Sequence, residues 1–451
     1  MSVLERMRDW FLAPLLEEKS ERRALTERAR SYRQGVQARQ IRTKIGYPDD
    51  NLVVNFISLV VDRAVSMLVG YGVEFDMDDE ARAEYIDQVW DANREEQLLH
   101  RLALLGAESG TCYVKIIPDG IVSRVTGQPL PRLIAIDPAW MTIDTSPEDW
   151  EQVIRYTIKY TVTGLDGREM ARKEVIEQDG DTGMWVVTDY QAGAMTQGQW
   201  QQTDQQPWPY EFAPMLHWQN LPSVSSSYGQ PDITDDLIAL QDRINFIAGN
   251  ISKIIRFAAH PVRIGKGVGS ADTLEMGVDK MLRIGKDADI YNLEMQGDLA
   301  SSQAYLQYLQ RELFAISRTV DLDSLTDKMG QLTNFGLRVL YTDALAKLGT
   351  KRELYGDALV ELNYRILRLA GYTGAQADGG KVIWPDILPV NEAEQLQAAK
   401  TKLELGVASK ETVSTELGYD YESERERMSA DQAESGNIGA ALLRAFNGGQ
   451  Q

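Results

Sequence analysis

The chain has 451 residues, with 67 Asp and Glu against 47 Lys and Arg, for a formal net charge of −20. That length leaves room for several modules, and that charge makes wrapping of nucleic acid by counterion release a poor fit. The single cysteine, Cys112, excludes an internal disulfide framework, and no Cys/His zinc spacing exists.

The opening run MSVLERMRDWF lacks the long apolar core of a signal peptide. The most apolar stretch, Ile57 to Val69, contains Asp62 and Arg63 and is too short to span a bilayer. Folding in a reducing cytoplasm without a membrane partner is the expectation. Residues 1 to about 45 are helix-prone and basic, with Arg22, Arg23, Arg28, Arg30, Arg33, Arg39 and Arg42. Two readings stand for them: contact with an acidic partner or DNA, or a solvated face interleaved with Glu17, Glu18, Glu21 and Glu27. Pro48 ends the segment, and Asn51 is a candidate cap for a helix over about 52–69. A strand start at Val73 to Phe75 and one helix over about 79–107 follow.

From Cys112 to about Leu221 the period changes to two. Strands are predicted at 113–117, 133–136, 153–158, 173–177 and 185–188, with turns at Pro118–Gly120 and Gly164–Gly167. The Gln-rich stretch near 196–206 reads as a mobile hairpin tip. A helix over about 232–258 carries Ile233, Leu237, Leu240, Ile244, Ile247, Ile251 and Ile254 in alternating steps of four and three. Asp242, Arg243, Asn250, Lys253 and Arg256 leave the rest of its circumference hydrophilic. A second such helix, about 299–320, carries Leu299, Leu306, Leu309, Leu313, Ile316 and Val320. Between them lie strands at 262–264, 281–284 and 290–293 and a short helix at 271–276.

A polar loop, about 321–334, leads to a third long helix, 335–370, expected to bend at Gly349 or Gly356. A strand at Lys381 to Trp384, an Asn391/Glu394 capping box, helices at 392–405 and 410–417, and an acidic helical stretch from about 421 complete the chain. The fold class is α+β and predominantly helical, with a helical hairpin carrying a small β-rich insert at its tip.

Catalytic chemistry is not expected. No G-x-x-x-x-G-K-[ST] loop exists, and Gly265, Gly267 and Gly269 read as a turn. His100, His217 and His260 have no metal-ligand spacing, and Asp76, Asp78 and Asp79 read as a solvated loop. Cys112 reads as a buried structural thiol. No enzyme activity, cofactor or metal is predicted.

Five segments taken in order carry a resemblance. They are NFISLVVD (55–62) with GYGVEF (70–75), PDITDDLIALQDRIN (231–245), NFGLRVLY (334–341), WPDILPVN (384–391) and ASKET (408–412). In this order the chain resembles the portal proteins, or head-to-tail connectors, of tailed bacteriophages. The resemblance implies a homo-oligomeric ring, typically of twelve subunits, at one vertex of the capsid in the virion. It implies assembly in the host cytoplasm, double-stranded DNA in the channel without sequence specificity, and a terminase, a head-completion adaptor, and major capsid and scaffold proteins as partners. It divides the chain into a wing (1–228), stem helix 1 (229–258), a clip (259–298), stem helix 2 (299–320), a tunnel loop (321–334), a long wing helix and connector (335–390) and a helical crown with a flexible tail (391–451).

Within that frame, acidic walls let a polyanion slide without capture. Lys253, Arg256, Arg311, Arg318 and Lys328 are the candidate channel cations, and Lys266, Arg283 and Lys286 the candidate docking residues of the clip. Lys328 is the only base in its loop; either it faces the lumen or it pairs with a neighbouring carboxylate. The competing reading is another phage structural protein, such as a minor capsid or baseplate component, that uses the hairpin only for assembly. Replacing Lys328 with Ala is expected to alter DNA packaging and leave ring assembly intact; loss of rings on electron micrographs would contradict the lumen assignment.

Overall fold

In the computed structural model the described residues are 21–39, 41, 49, 51–149, 151–163, 167, 169–180, 182–193, 200–224, 226–259, 262–266, 289–293, 299–321, 334–387, 392–425 and 427–429. The chain divides into two compact units, residues 1–329 with 340–385, and residues 330–339 with 386–451.

The first unit begins with helix α1 (residues 21–33). Helix α2 spans Phe56–Val69 and is capped by Asn55, whose side chain accepts from the Ser58 N–H. It therefore starts four residues later than predicted from Asn51. The reason is tertiary: Val54 offers its N–H to Asn245 and its carbonyl to Gln241, which keeps the chain extended up to the cap. The predicted helix over 79–107 is two, α3 (Glu80–Ala92) and α4 (Glu95–Ser109). Buried Asn93 breaks them apart by bonding Val89 O, Pro131 O and Leu133 N, and Arg94 turns the chain at φ +57.

The predicted 335–370 helix is also divided, into α7 (Asn334–Leu340) and α8 (Thr342–Leu369). The interruption falls at Tyr341, and both glycines lie inside an unbroken α8. Gly356 is buried against Trp384, whose Nε1 lies 3.6 Å from where a Cβ would stand, an ordinary contact distance. Val60, Val61 and Val65 of α2, Leu102 and Ala103 of α4, and Leu359, Leu362 and Ile366 of α8 form the helical part of the core. Strand β1 (Glu74–Asp76) pairs with β12 (Lys381–Ile383) beside it.

The period-two region folds into two antiparallel sheets. One has the order β3 (Pro129–Ala135), β2 (Thr111–Val122), β9 (Met215–Gln219). The predicted turn at Pro118–Gly120 is instead a bulge inside β2, where the register against β3 shifts between Ile117 and Ile121. Asp119 takes φ +52 there, and a Cβ on Gly120 would stand 2.6 Å from Arg132 Cβ. The other sheet is a meander of β4 (Met141–Thr145), β5 (Val153–Thr163), β6 (Glu169–Gln178), β7 (Trp185–Gly193) and β8 (Gln201–Trp208).

Strand β8 corrects the reading of 196–206 as a hairpin tip, since Gln201 onward is paired with β7. Its polar side chains and Pro207 suit an exposed sheet edge, where unpaired backbone invites aggregation. Tyr113, Met141, Ile143, Tyr156, Ile158, Ile176, Trp185 and Met215 fill the core between the sheets.

In the second unit α9 (Glu392–Glu404) packs on α10 (Lys410–Glu416) through buried Ala399 and Val413. Ser409 caps α10, and Lys402 pairs with Glu416 at 2.6 Å. Residues 421–425 and 427–429 are helical. The predicted helix 271–276, strand 281–284, Asn391 cap and tail lie outside the described residues.

Two groups in the first unit have pKa values shifted by burial so that stability depends on pH in opposite senses between pH 4 and 7. His217 sits within 3.1 Å of Tyr156 Oη, and burial first, then Arg365, pull its ring down to about 4. Unfolded, it takes a proton near pH 6.5, so its contribution is full above that pH and is lost as the pH falls towards 4, at most about 3 kcal/mol. Burial first, then Asp91, Asp87 and Glu96, push Glu95 up to about 7. Its contribution is full below the ordinary carboxylate range and is lost as the pH rises through 7. Relative to the native chain, His217→Gln is expected to gain stability between pH 7 and 4.5 and Glu95→Gln to lose it, read from urea midpoints at each pH. Parallel profiles for all three proteins would refute both assignments.

Candidate functional site

No group of three or more His, Cys, Asp or Glu side chains is placed to hold a metal ion among the described residues. No described helix is long and apolar enough to cross a membrane. What the first unit does present is a pair of long helices, α5 (Asp235–Ala259) and α6 (Leu299–Ser317), packed on each other. Asp235 and Asp236 in the first turn of α5 and Arg256 in its last suit the helix dipole. At the far end, β10 (Val262–Lys266) and β11 (Asp289–Leu293) form an antiparallel ladder from Val262 opposite Leu293 to Lys266 opposite Asp289. The ladder brings the two helices' adjoining ends together and makes the pair antiparallel.

The interface follows the predicted stripes in part. Ile233, Leu237 and Ile244 are buried, while Leu240, Ile247, Ile251 and Ile254 are half-buried. On α6 Leu309 and Leu313 are buried, but Ile316 is 47% exposed and Phe314 is buried in its place. Phe314 turns inward because Phe56 meets it edge-on at 5.6 Å. The expected hydrophilic circumference of α5 also needs correction. Gln241 and Asn245 are buried and hold residues 54–56, Gln241 by donating to Val54 O (2.6 Å) and accepting from Phe56 N (3.1 Å). Asn245 accepts from Val54 N at 3.0 Å and donates to Gln37 Oε1 at 2.6 Å. Asp242 accepts from Tyr32 of α1 at 2.8 Å.

The roots of both helices meet in one buried polar cluster. Asp232, just before α5, is fully enclosed between Lys347 (2.7 Å) and Lys351 of α8. Burial pushes its carboxyl up, but the two ammonium groups outweigh this and hold it well below the usual carboxylate range. Lys347 also donates to Ser317 O at the last residue of α6 (3.2 Å). Asn220, at the end of β9, donates to Asp232 (3.3 Å) and accepts from Tyr355 (3.1 Å). Tyr355 lies 3.2 Å from Cys112 Sγ, which lies 3.2 Å from Leu102 O. Burial pushes the thiol up to about 12, so Cys112 is a packing group and not a nucleophile. The sequence signal for this cluster is Lys351, a cation inside the three-four stripe Leu348, Tyr355, Leu359.

The basic N-terminal helix has a third role that neither sequence reading gave. Arg30 grips Asp137 through both terminal nitrogens at 2.9 Å and Glu108 at 2.9 Å, and Arg33 reaches Glu108 at 2.6 Å. Arg22 stacks 3.2 Å from the Tyr228 ring centre. These arginines fasten α1 to the core of the same chain.

The profile of the family described as "Phage portal protein, SPP1 Gp6-like" matches residues 13–437. The chain belongs to the phage portal protein family. A portal protein is a structural part of the head-to-tail connector and not an enzyme. No curated protein sequence matches the chain. Among solved structures, it is similar to a chain from the neck of an empty GTA particle computed with C6 symmetry (14% identity, TM-score 0.48, 80% of this chain and 88% of that chain). It is similar to chains from the virion of a native gene transfer agent particle (12%, 0.46, 87% and 98%) and from the neck of a native GTA particle computed with C12 symmetry (15%, 0.47, 80% and 89%).

On this portal chain the described candidate channel cations lie at three levels along the helix pair. Lys253, exposed, and Arg256, half-buried, are one turn apart near the ladder. Arg311 is exposed near the middle of α6. Arg318 is exposed just beyond its end, in the left-handed region at φ +56. There Thr319 N bonds Phe314 O and Arg318 N bonds Ala315 O, a Schellman ending with Arg where Gly is usual. The helix stops at Ser317, short of the predicted 320. Lys266 ends β10, and Lys328, Arg283 and Lys286 lie outside the described residues.

Replacing Asp232 with Asn leaves the buried Lys351 and the half-buried Lys347 ammonium groups without their counter-charge. The expected loss is about 3–5 kcal/mol, read as a lowered urea midpoint. Lys351→Met removes one charge together with its desolvation cost and should be tolerated better. Equal losses from the two substitutions would mean that packing, and not charge, governs the cluster.

Proposed function

We propose that the chain forms a ring of twelve subunits at one vertex of the capsid, in the virion. Genomic DNA passes along its axis, driven inward by a terminase and later ejected. The helix pair is the stem of the channel, and the insert over 259–298 is the clip on which the terminase and then a head-completion adaptor dock. Residues 1–228 with the long helix after the loop are the wing, 321–334 the tunnel loop, and 391–451 the crown. Lys253, Arg256, Arg311, Arg318 and Lys328 serve as channel cations, and Lys266, Arg283 and Lys286 as clip contacts.

The observation that carries this reading is the exposed face of α6. Ser301, Tyr305 and Tyr308 recur at steps of four and three on its outside, and Tyr305 and Tyr308, 41% and 54% exposed, stack on each other at 6.4 Å. A helix with apolar residues on two faces needs a second neighbour. Within one chain α5 supplies the first, and a second copy of the stem supplies the other. Repeating that contact around an axis closes a ring. Negative-stain class averages of the purified chain are expected to show rings with an axial pore of roughly DNA width. Tyr305→Glu with Tyr308→Glu should leave folded chains that no longer close. Rings without a pore, or assembly indifferent to both tyrosines, would favour a minor capsid or baseplate component.

A further inference from the structure

A groove of about 660 Å³ runs between the α3–α4 junction and the β2–β3 hairpin. Four arginines line it: Arg94 and Arg101 from the helices, Arg124 and Arg132 from the hairpin. Arg94, Arg101 and Arg124 are exposed, and none has a carboxylate partner among the described residues. Arg132 has only a 3.5 Å contact with Asn93 Oδ1. Asp91 is the one acidic residue on the wall. In a chain of net charge −20, four guanidiniums gathered in one concavity stand against the average.

Two further observations point to a ligand. Arg94 holds φ +57 and ψ +66 with no side-chain cap bond, at a position where glycine or asparagine fits without strain. A strained residue whose side chain lines a cavity is a mark of function. At the rim stand Val122 and Val125, 60% and 88% exposed, on the same hairpin as Arg124.

We propose that this groove docks a short acidic peptide segment of a partner protein, with carboxylates on the guanidiniums and an apolar side chain against the two valines. Guanidinium forks match carboxylates bidentately. Isolated exposed valines on a hairpin tip gain from an apolar contact. A DNA duplex fits less well, because the cavity admits a few side chains and not a helix about 20 Å across.

The test is a fluorescence anisotropy titration of the full-length chain with a labelled hexapeptide alternating aspartate and leucine. Binding is expected to weaken with added salt and to fall at least tenfold in the double variant Arg101→Glu, Arg124→Glu, while Lys159→Glu, at an exposed position of β5 away from the groove, leaves it unchanged. Arg94→Gly guards against a folding artefact: it should melt no lower than the native chain and still bind the peptide at least threefold more weakly. Binding unaffected by these substitutions, or absent from the native chain, overturns the proposal. So does equal displacement of the peptide by a 12-base-pair duplex, which would reassign the groove to nucleic acid.

Discussion

One carboxylate holds the architecture together. Asp232 is enclosed without solvent between two lysines of α8, and one of those lysines also takes the last carbonyl of α6. The start of one long helix and the end of the other are therefore fixed to the same turn of a third. Through Asn220 and Tyr355 the cluster reaches the end of β9 and the α4–β2 corner. Gly106 belongs to this constraint, since a Cβ there would strike the Tyr355 hydroxyl and Cys112 Sγ.

The geometry explains why a polar root is worth its desolvation. Helix α5 has 25 residues, so it is about 37 Å long. A tilt of about 5° at the root would move its tip by about 3 Å. Apolar contacts are non-directional and tolerate such a tilt. Charge-assisted hydrogen bonds with fixed donor and acceptor positions do not. Gln241 and Asn245 add a second set of directional bonds about two to three turns further along. The two sets together fix both the position and the direction of α5, which leads into the β10–β11 ladder at its far end.

What the sequence made legible was local and periodic. The long helices, the meander and the two strands of the insert were all written in spacing, and in the long helices and most of the meander one face of each element is buried. Boundaries set by distant partners were not. Asn55 caps α2 because Gln241 and Asn245 hold residue 54, some 190 positions away. The break between α3 and α4 depends on Asn93 bonding residues of β3. Ile316 lost its place to Phe314 because of one aromatic partner on α2. The cluster at Asp232 joins residues from four separate segments, and only the intrusion of Lys351 into an apolar stripe hinted at it. The family resemblance rested on the order of five motifs, and that order is a property of the whole chain that no single spacing carries.

The fate of the arginines ties fold to function. On composition alone the basic helix α1 was a candidate contact surface, yet Arg30 and Arg33 satisfy the buried Glu108 and half-buried Asp137, and Arg22 covers Tyr228. Arg365 likewise turns inward, donating to Ala213 O and Met215 O while pairing with Glu361. Guanidinium groups bound this way are part of the core and unavailable to a polyanion. Other cations stay exposed, among them Lys253 and Arg311 on the paired helices and three arginines around the groove of the first unit. Single cations spread among acidic residues give a shallow potential, which holds a polyanion weakly. Four guanidiniums in one cavity give a deep and local potential, which holds a small acidic ligand in place. Cations thus hold a polyanion loosely where they are spread along a helix pair and a small acidic ligand tightly where a hairpin and a helix junction gather them.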